Sequence, residues 1–240
     1  MTPLYSVDSV RHTDRLWDAT ASLRSEIDRL EFLEQLGSGT LPLDAFRTYI
    51  EQDKLYLAGY AKALSILASR APDPATAAFW ASSAASAVEE ATLHETLLSG
   101  DALPASGTRV EHSPTCLGYV SYLIAAAATE PYPVAAAAVL PCFWIYADVA
   151  VRLAGAAKDT LARDPEHPYA RWVSAYDSEE FREIVDGART LVDVAAEQAT
   201  ESQRESMTEA FVVATRYEAM FWNTALAPTP WPYSRSEASA

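Results

Sequence analysis

One thiol and two carboxylates interrupt apolar stretches of this chain. Cys142 lies within the apolar run Val134–Ala147, directly after Pro141. Asp53 and Glu218 each fall on an apolar stripe with helical spacing. A carboxylate on such a stripe must be paired, hydrogen-bonded or neutralised, and the raised pKa that follows from desolvation suits a general acid. A thiol and two acids facing one helical interior indicate a reaction site.

The same residues also have structural interpretations. Asp53 and Glu218 are equally compatible with acids satisfied by a tyrosine or a helix end, because perturbed acids mark functional sites only statistically. Cys142 taken alone resembles a small buried hydrophobe, since reactivity requires a setting that stabilises the thiolate. Cys116, beside the longest loop, is predicted to be structural.

Tyrosines cluster around these positions in the sequence. They are either core aromatics with satisfied hydroxyls or a cage that stacks on a flat heteroaromatic ring and bonds its edges. The group comprises Tyr49, Tyr56, Tyr60, Tyr119, Tyr122, Tyr146 and Tyr176.

Glu90 and His94 are four residues apart on one predicted helix and offer a metal alternative. Together with Asp53 and Glu218 they would form a carboxylate-rich bundle site. The usual di-iron signature has Glu-x-x-His on each of two helices, whereas this chain has Glu-x-x-x-His once, so no metal is predicted. The sequence contains no phosphate-binding glycine loop, nucleophilic serine motif or zinc motif.

Composition favours an all-α protein. Half of the 240 residues are hydrophobic, only 8 are glycine, and no stretch alternates between apolar and polar residues. The formal charge of −15 argues against nucleic acid and anionic membranes as partners. With two cysteines, no signal-peptide pattern and no apolar run of about 20 residues, the sequence predicts a cytoplasmic protein with reduced thiols.

The periodicity predicts a single helical bundle over residues 1–226 and a proline-rich tail over residues 227–240, in which Trp231 can dock on the body. One amphipathic helix is expected from Leu16 to Leu33, and Pro141 should kink or break a central helix. The remaining predicted helices are the Asp53 helix that ends before Pro72, about Ala75–Leu98, Thr115–Thr129, Pro133–Lys158, short segments near Tyr169–Tyr176, Ser178–Ala199 and Gln203–Leu226.

Five blocks, in order along the chain, resemble the TenA family. Gly39 to Leu57 is similar to its G-x-L-P…F…Y…Q-D…Y-L segment, and Pro114 to Tyr122 to its P-T-x-x-x-Y-x-x-Y. Leu140 to Tyr146 resembles L-P-C-x-W-x-Y. The last two blocks, Tyr169 to Tyr176 and Glu218 to Trp222, resemble Y-x-x-W-x-x-x-Y and E-x-x-F-W.

The resemblance implies a haem-oxygenase-like bundle without haem or another cofactor, assembled as a homotetramer or dimer. It also implies thiaminase II activity, which converts 4-amino-5-aminomethyl-2-methylpyrimidine to its hydroxymethyl counterpart and cleaves thiamin to pyrimidine and thiazole. The family divides by whether cysteine or glutamate holds the nucleophile position, and this chain has cysteine. Lys54, and the lack of a His-Pro-Phe-like element before the first block, depart from the family pattern and bear on substrate preference.

Roles are implied for eight residues. Cys142 would add to the pyrimidine ring as the nucleophile, and Glu218 would deliver and recover a proton at a ring nitrogen. Asp53 would hydrogen-bond to the amino edge of the ring and help to activate the thiol. The implied substrate-binding residues are Tyr56, Tyr146 and Tyr176, which would orient these groups, and Tyr119 and Phe221, which would sandwich the ring.

Two further hypotheses remain. The first is a metal- or cofactor-dependent oxidase on the same bundle, built on Glu90, His94, Asp53 and Glu218. The second is a non-catalytic protein that binds a pyrimidine or a regulatory partner through the aromatic cage and the Trp231 tail.

Overall fold

The computed structural model describes residues 10–99, 103, 110–164, 167, 169, 172–173 and 176–232. These residues contain helices and no strand, which confirms the all-α prediction. The helices are α1 (His12–Ala19), α2 (Ala21–Ile27), α3 (Glu31–Ser38), α4 (Leu43–Ser69), α5 (Pro74–Ser99), α6 (Pro114–Thr129), α7 (Tyr132–Arg163), α8 (Glu179–Gln198) and α9 (Glu201–Leu226). Between α7 and α8, the described positions Tyr169, Trp172, Val173 and Tyr176 are also helical.

The single helix predicted from Leu16 to Leu33 was wrong, because this stretch forms α1, α2 and part of α3. Thr20 lies between the first two helices, and its hydroxyl donates to the carbonyl of Trp17 at 3.0 Å. This bond to the preceding turn favours a local bend. The backbone is extended at Leu30, immediately before α3.

Side-chain caps set the starts of three long helices. Ser113 accepts a hydrogen bond from the amide of Cys116, and Ser178 accepts one from Phe181. Thr200 begins α9 with a reciprocal capping box. These bonds satisfy amides that have no partner within their own helix, so they fix where α6, α8 and α9 begin.

Helix α7 is the central element of the bundle. Residues 134–140 are almost completely buried, and the helix packs against α9, α8 and α6. The segment Tyr132–Gly155 is long and apolar enough to cross a membrane, but most of it is buried within the bundle, as expected for a core helix. The helix continues through Pro141 without the break that was one of the two predicted outcomes. Cys142 therefore projects from the middle of this central helix.

Helix α4 packs closely on α6 because Gly59 lacks a side chain. A Cβ atom at position 59 would lie 2.2 Å from Cγ1 of Val120 on α6. Since α4 carries Asp53 and Tyr56 and α6 carries Tyr119, this contact helps to set the distance between predicted site residues.

The tail leaves the bundle after Leu226, and Trp231 contacts the body. The indole nitrogen of Trp231 donates to the carbonyl of His112 at 2.9 Å. Tyr233 and the rest of the predicted tail, residues 233–240, lie outside the described residues.

We predict that Gly59→Ala lowers the free energy of unfolding by about 1–3 kcal/mol, because the added methyl group overpacks the contact with Val120. Gly155→Ala is the matched control, since nothing lies within 4 Å of a Cβ at this position of α7. It should stabilise the protein by about 0.5–1 kcal/mol through helix propensity. Urea unfolding of the three proteins measures both effects, and equal stability of Gly59→Ala and the wild type would contradict the packing argument.

Candidate active site

Helices α4, α5, α7 and α8 and the segment at Tyr176 enclose a cavity of about 230 Å³. This volume lies below the roughly 300 Å³ at the lower end of typical ligand pockets, which suits a small ligand such as a single heteroaromatic ring. The lining residues include Asp53, Tyr56, Glu90, Cys142, Tyr146 and Tyr176. The structure thus brings five of the eight predicted site residues to one cavity: Asp53, Tyr56, Cys142, Tyr146 and Tyr176.

Cys142 is partly exposed, and it faces the cavity from α7. Desolvation raises the pKa of its thiol well above the ordinary cysteine value, and the nearby Glu218 raises it further. The Tyr56 hydroxyl acts in the opposite direction. The thiol therefore keeps its proton near neutral pH, and a nucleophilic role requires a base to remove that proton.

Glu218 is buried on α9 beside the cavity but is not among the described residues that line it. The Tyr119 hydroxyl donates to its Oε1 atom at 2.6 Å. Desolvation raises the pKa of Glu218 to about 8, although the hydrogen bond from Tyr119 opposes this shift. Glu218 is therefore protonated at neutral pH, as a general acid must be.

Asp53 is buried on α4, and its Oδ2 atom has no hydrogen-bond partner among the described residues. This atom lies 3.5 Å from Nδ1 of His94, which also has no hydrogen-bond partner there. Desolvation raises the pKa of Asp53 well above its usual value, with smaller contributions from Glu90 and Glu218. Desolvation also lowers the pKa of His94 to about 4, so the imidazole is neutral at pH 7.

Glu90 reaches the cavity from α5. The Tyr176 hydroxyl donates a hydrogen bond to its Oε1 atom. Desolvation raises the pKa of Glu90 to about 7. This carboxyl group is therefore divided between its protonated and ionised forms at physiological pH.

Tyr119 and Phe221 lie one layer behind the cavity and are not among its described lining residues. The Tyr56 ring stacks on Tyr119 with the ring centroids 5.0 Å apart, and its centroid is 5.4 Å from that of Phe221. The Tyr56 hydroxyl is buried without a hydrogen-bond partner among the described residues. The sandwich of a substrate ring between Tyr119 and Phe221 stays a prediction.

The sequence interpretation missed the contributions of α5 and α8 to the cavity. Ser82, Ser83 and Ser86 line it from α5, and Phe181 and Ile184 line it from α8. The available signal was the three serines at spacings of one, three and four residues in an alanine-rich helix.

A metal ion has one candidate position among the described residues. Ligand atoms of Asp53, Glu90 and His94 lie within 4.8 Å of one another, but Glu218 does not belong to this group. The four-residue set of the oxidase hypothesis is therefore not assembled as one cluster, and the remaining set has a single histidine, unlike the paired motif of di-iron bundles.

A sequence model of the TENA/THI-4/PQQC family matches residues 21–227. The chain belongs to this family. The TENA/THI-4/PQQC chain is 34% identical over 203 residues to the aminopyrimidine aminohydrolase of Bacillus subtilis, with 83% of each protein covered. It is also 37% identical over 215 residues to the thiamine biosynthesis multifunctional protein ThiED of Corynebacterium efficiens. That match covers 89% of this chain but only 28% of the Corynebacterium efficiens protein. The chain therefore spans only about a quarter of the length of the ThiED proteins.

Solved structures agree with the family assignment. The TenA homologue from P. horikoshii OT3 superimposes with a TM-score of 0.77 at 29% identity, covering 90% of this chain and 98% of that one. A domain from Shewanella denitrificans described as having a heme oxygenase-like fold gives a TM-score of 0.65 at 12% identity, over 91% of this chain and 93% of that one. The expected haem-oxygenase-like fold of this TENA/THI-4/PQQC protein is thus confirmed.

We predict that Glu218→Gln makes the protein more stable at alkaline pH. The pKa of Glu218 is raised on folding, so its contribution is most favourable below pH 4.5 and is lost as pH rises from 4.5 through about 8. The amide cannot ionise and can still accept the bond from Tyr119, so the variant should gain about 2–4 kcal/mol over wild type at pH 8 and little at pH 5.

Urea unfolding at pH 5, 6.5 and 8 measures this difference. Glu209→Gln, at an exposed position on the same helix, is the control and should follow the wild-type pH dependence. A stability difference between Glu218→Gln and wild type that does not change with pH would contradict the raised pKa.

Proposed function

We propose that this protein is an aminopyrimidine aminohydrolase of thiamin salvage. It hydrolyses 4-amino-5-aminomethyl-2-methylpyrimidine to the hydroxymethyl compound and ammonia, and it cleaves thiamin to its pyrimidine and thiazole parts. The observation that carries the proposal is Cys142 at the wall of a small cavity lined by carboxyl and tyrosine side chains. The 34% identity to the Bacillus subtilis aminopyrimidine aminohydrolase supports this choice of reaction.

The polar atoms at the cavity suit an aminopyrimidine. Asp53 Oδ2 and the Tyr56 hydroxyl are both buried and have no hydrogen-bond partner among the described residues. The hydroxyl also interacts with the Cys142 thiol, whose pKa it lowers, and Oδ2 faces His94 Nδ1 at 3.5 Å, so both groups keep hydrogen-bonding capacity that a ligand can use. An amino group and a ring nitrogen on one edge supply the donor and acceptor that this pair requires.

The first step is addition of the Cys142 sulfur to a ring carbon adjacent to a ring nitrogen. The carbon–nitrogen π electrons move to that nitrogen, which takes a proton from Glu218. Asp53 in its ionised form accepts the thiol proton, because the desolvated thiol does not ionise unaided at neutral pH. The addition removes the aromaticity of the ring and makes its exocyclic carbon reactive.

The second step is substitution at the exocyclic carbon. The ring amino group supplies an electron pair that forms an exocyclic double bond, and the leaving nitrogen departs with the pair from its broken bond to carbon. Water then adds to the exocyclic carbon and loses a proton. Finally the sulfur leaves and takes its proton back from Asp53, the ring nitrogen returns its proton to Glu218, and aromaticity is restored.

The compartment, the assembly and the partners of the protein form part of the same proposal. We assign the reaction to the cytoplasm and to a homo-oligomer, with a small pyrimidine or thiamin as the only substrate partner. The kinship with thiamin-biosynthesis proteins supports the assignment to small-molecule metabolism. The proposed reaction requires neither a nucleic acid nor a membrane.

We predict that Cys142→Ser lowers kcat for ammonia release by about 10⁴-fold or more, because it removes the nucleophile of the covalent step. Cys116→Ser is the matched control. Cys116 is buried and is not among the described lining residues, its pKa is raised to about 12, and its Sγ donates to the carbonyl of Gln52 at 3.5 Å. A serine hydroxyl preserves that bond, so Cys116→Ser should keep wild-type turnover.

The assay follows ammonia and the hydroxymethyl product with and without EDTA. We expect turnover to be insensitive to the chelator. Turnover that survives Cys142→Ser but is lost with EDTA would favour a metal ion at the Asp53, Glu90 and His94 cluster. Ligand-induced thermal stabilisation without any product would favour the non-catalytic binder.

A further inference from the structure

Among the described residues that line the cavity, Glu90 is the carboxyl group that has no role in the steps above. It comes from α5 and shares the cavity wall with Asp53 and Cys142. Its Oε1 atom accepts a hydrogen bond from Tyr176, which lines the same cavity. The Tyr176 hydroxyl thus holds a titratable carboxyl group at the surface that the substrate contacts.

The chemistry requires proton transfer at a second place, away from the ring nitrogen. An amine leaves as ammonia only if its nitrogen carries enough protons, and the incoming water must lose one. Both events take place at the exocyclic carbon. Glu218 is bonded to Tyr119 and is not among the described lining residues, so it is poorly placed for both sites at once.

Asp53 already has other roles in the proposed reaction. Its Oδ2 atom lies 3.5 Å from Nδ1 of His94, and it serves the thiol and the ring amino group in the first step. Among the described lining residues, Glu90 is the carboxyl group that remains available at the cavity.

We propose that Glu90 is a further catalytic residue, the acid–base group for the exocyclic amine and for the water that replaces it. This role rests on the proposed function and adds a substrate-selective part to it. In the complex the Glu90 carboxyl group and the exocyclic amine share one proton.

The exchange balances as follows. When the exocyclic C–N bond breaks, its electron pair goes to nitrogen, which leaves as ammonia with the shared proton, and Glu90 is left ionised. Water then forms the new C–O bond, and its extra proton passes to the Glu90 carboxylate. This proton replaces the one that left with ammonia, so Glu90 ends in its starting state. The site consumes one water molecule and no oxidant or reductant.

The surroundings of Glu90 suit both halves of this exchange. Desolvation raises its pKa to about 7, so it can hold and release a proton near neutral pH. Asp53 and Cys142 face the same cavity, and the charge of Glu90 raises the pKa of both. The Tyr176 hydrogen bond keeps the carboxylate in place while it is ionised.

Two substrates with different leaving groups test the role directly. The thiazolium nitrogen of thiamin carries no hydrogen and leaves as a neutral thiazole, so its departure needs no acid. Glu90→Gln should therefore slow ammonia release from the aminomethylpyrimidine by about 100-fold or more in a single turnover. Thiazole release from thiamin, measured in the same way, should fall by less than about tenfold.

Glu89→Gln is the matched control, because Glu89 is the exposed neighbour on the same helix, and it should behave as wild type with both substrates. Tyr176→Phe is the second variant if Glu90→Gln does not fold. It removes the hydrogen bond to Glu90 and should also slow ammonia release more than thiazole release.

The outcomes separate this role from the proposed function. An equal loss with both substrates, or no loss of ammonia release, in a folded Glu90→Gln protein would overturn the role of Glu90 and leave the cysteine mechanism standing. If Glu90→Gln is unfolded, an equal effect of Tyr176→Phe on both substrates would overturn it. A wild-type protein that releases neither ammonia nor thiazole would overturn the proposed function, and the role of Glu90 with it.

Discussion

Desolvation of ionisable groups around one cavity governs the chemistry of this protein. Asp53, Glu90, Glu218 and Cys142 come from four different helices, and burial is the main reason why each has a raised pKa. Charged forms are disfavoured, so Glu218 and Cys142 hold their protons at neutral pH. The proposed reaction begins with both groups protonated, and it passes the Glu218 proton to the ring nitrogen and the thiol proton to Asp53.

The helical bundle makes this arrangement possible by bringing α4, α6 and α7 close together. Ala135 to Ala138 allow close packing around α7, and Gly59 allows α6 to approach α4. The cost of burying Glu90 and Glu218 is limited because each can stay neutral and each accepts a hydrogen bond from a tyrosine hydroxyl. The same packing leaves Asp53 Oδ2 and the Tyr56 hydroxyl for a ligand.

Much of this arrangement was predictable from local sequence patterns. Helical spacing placed Asp53 and Tyr56 on one buried face, and the position of Cys142 in an apolar run placed it in the core. Patterns of this kind report which face is buried but not which helices become neighbours. The serines of α5, the hydrogen bond between Tyr176 and Glu90, and the position of Glu218 behind the cavity depend on tertiary contacts. The division into α1, α2 and α3 was missed because the apolar period continues across Thr20 while the backbone bends there.

The most direct test of this account is the protonation state of Cys142. Carbon-13 NMR of a Cys116→Ser protein labelled at cysteine Cβ isolates the signal of Cys142 and follows it from pH 6 to 11. The account predicts a thiol signal through pH 8 and a midpoint above the ordinary cysteine pKa of 9. A midpoint below 9 would mean that the free site stabilises a thiolate, and it would contradict the claim that desolvation controls the site.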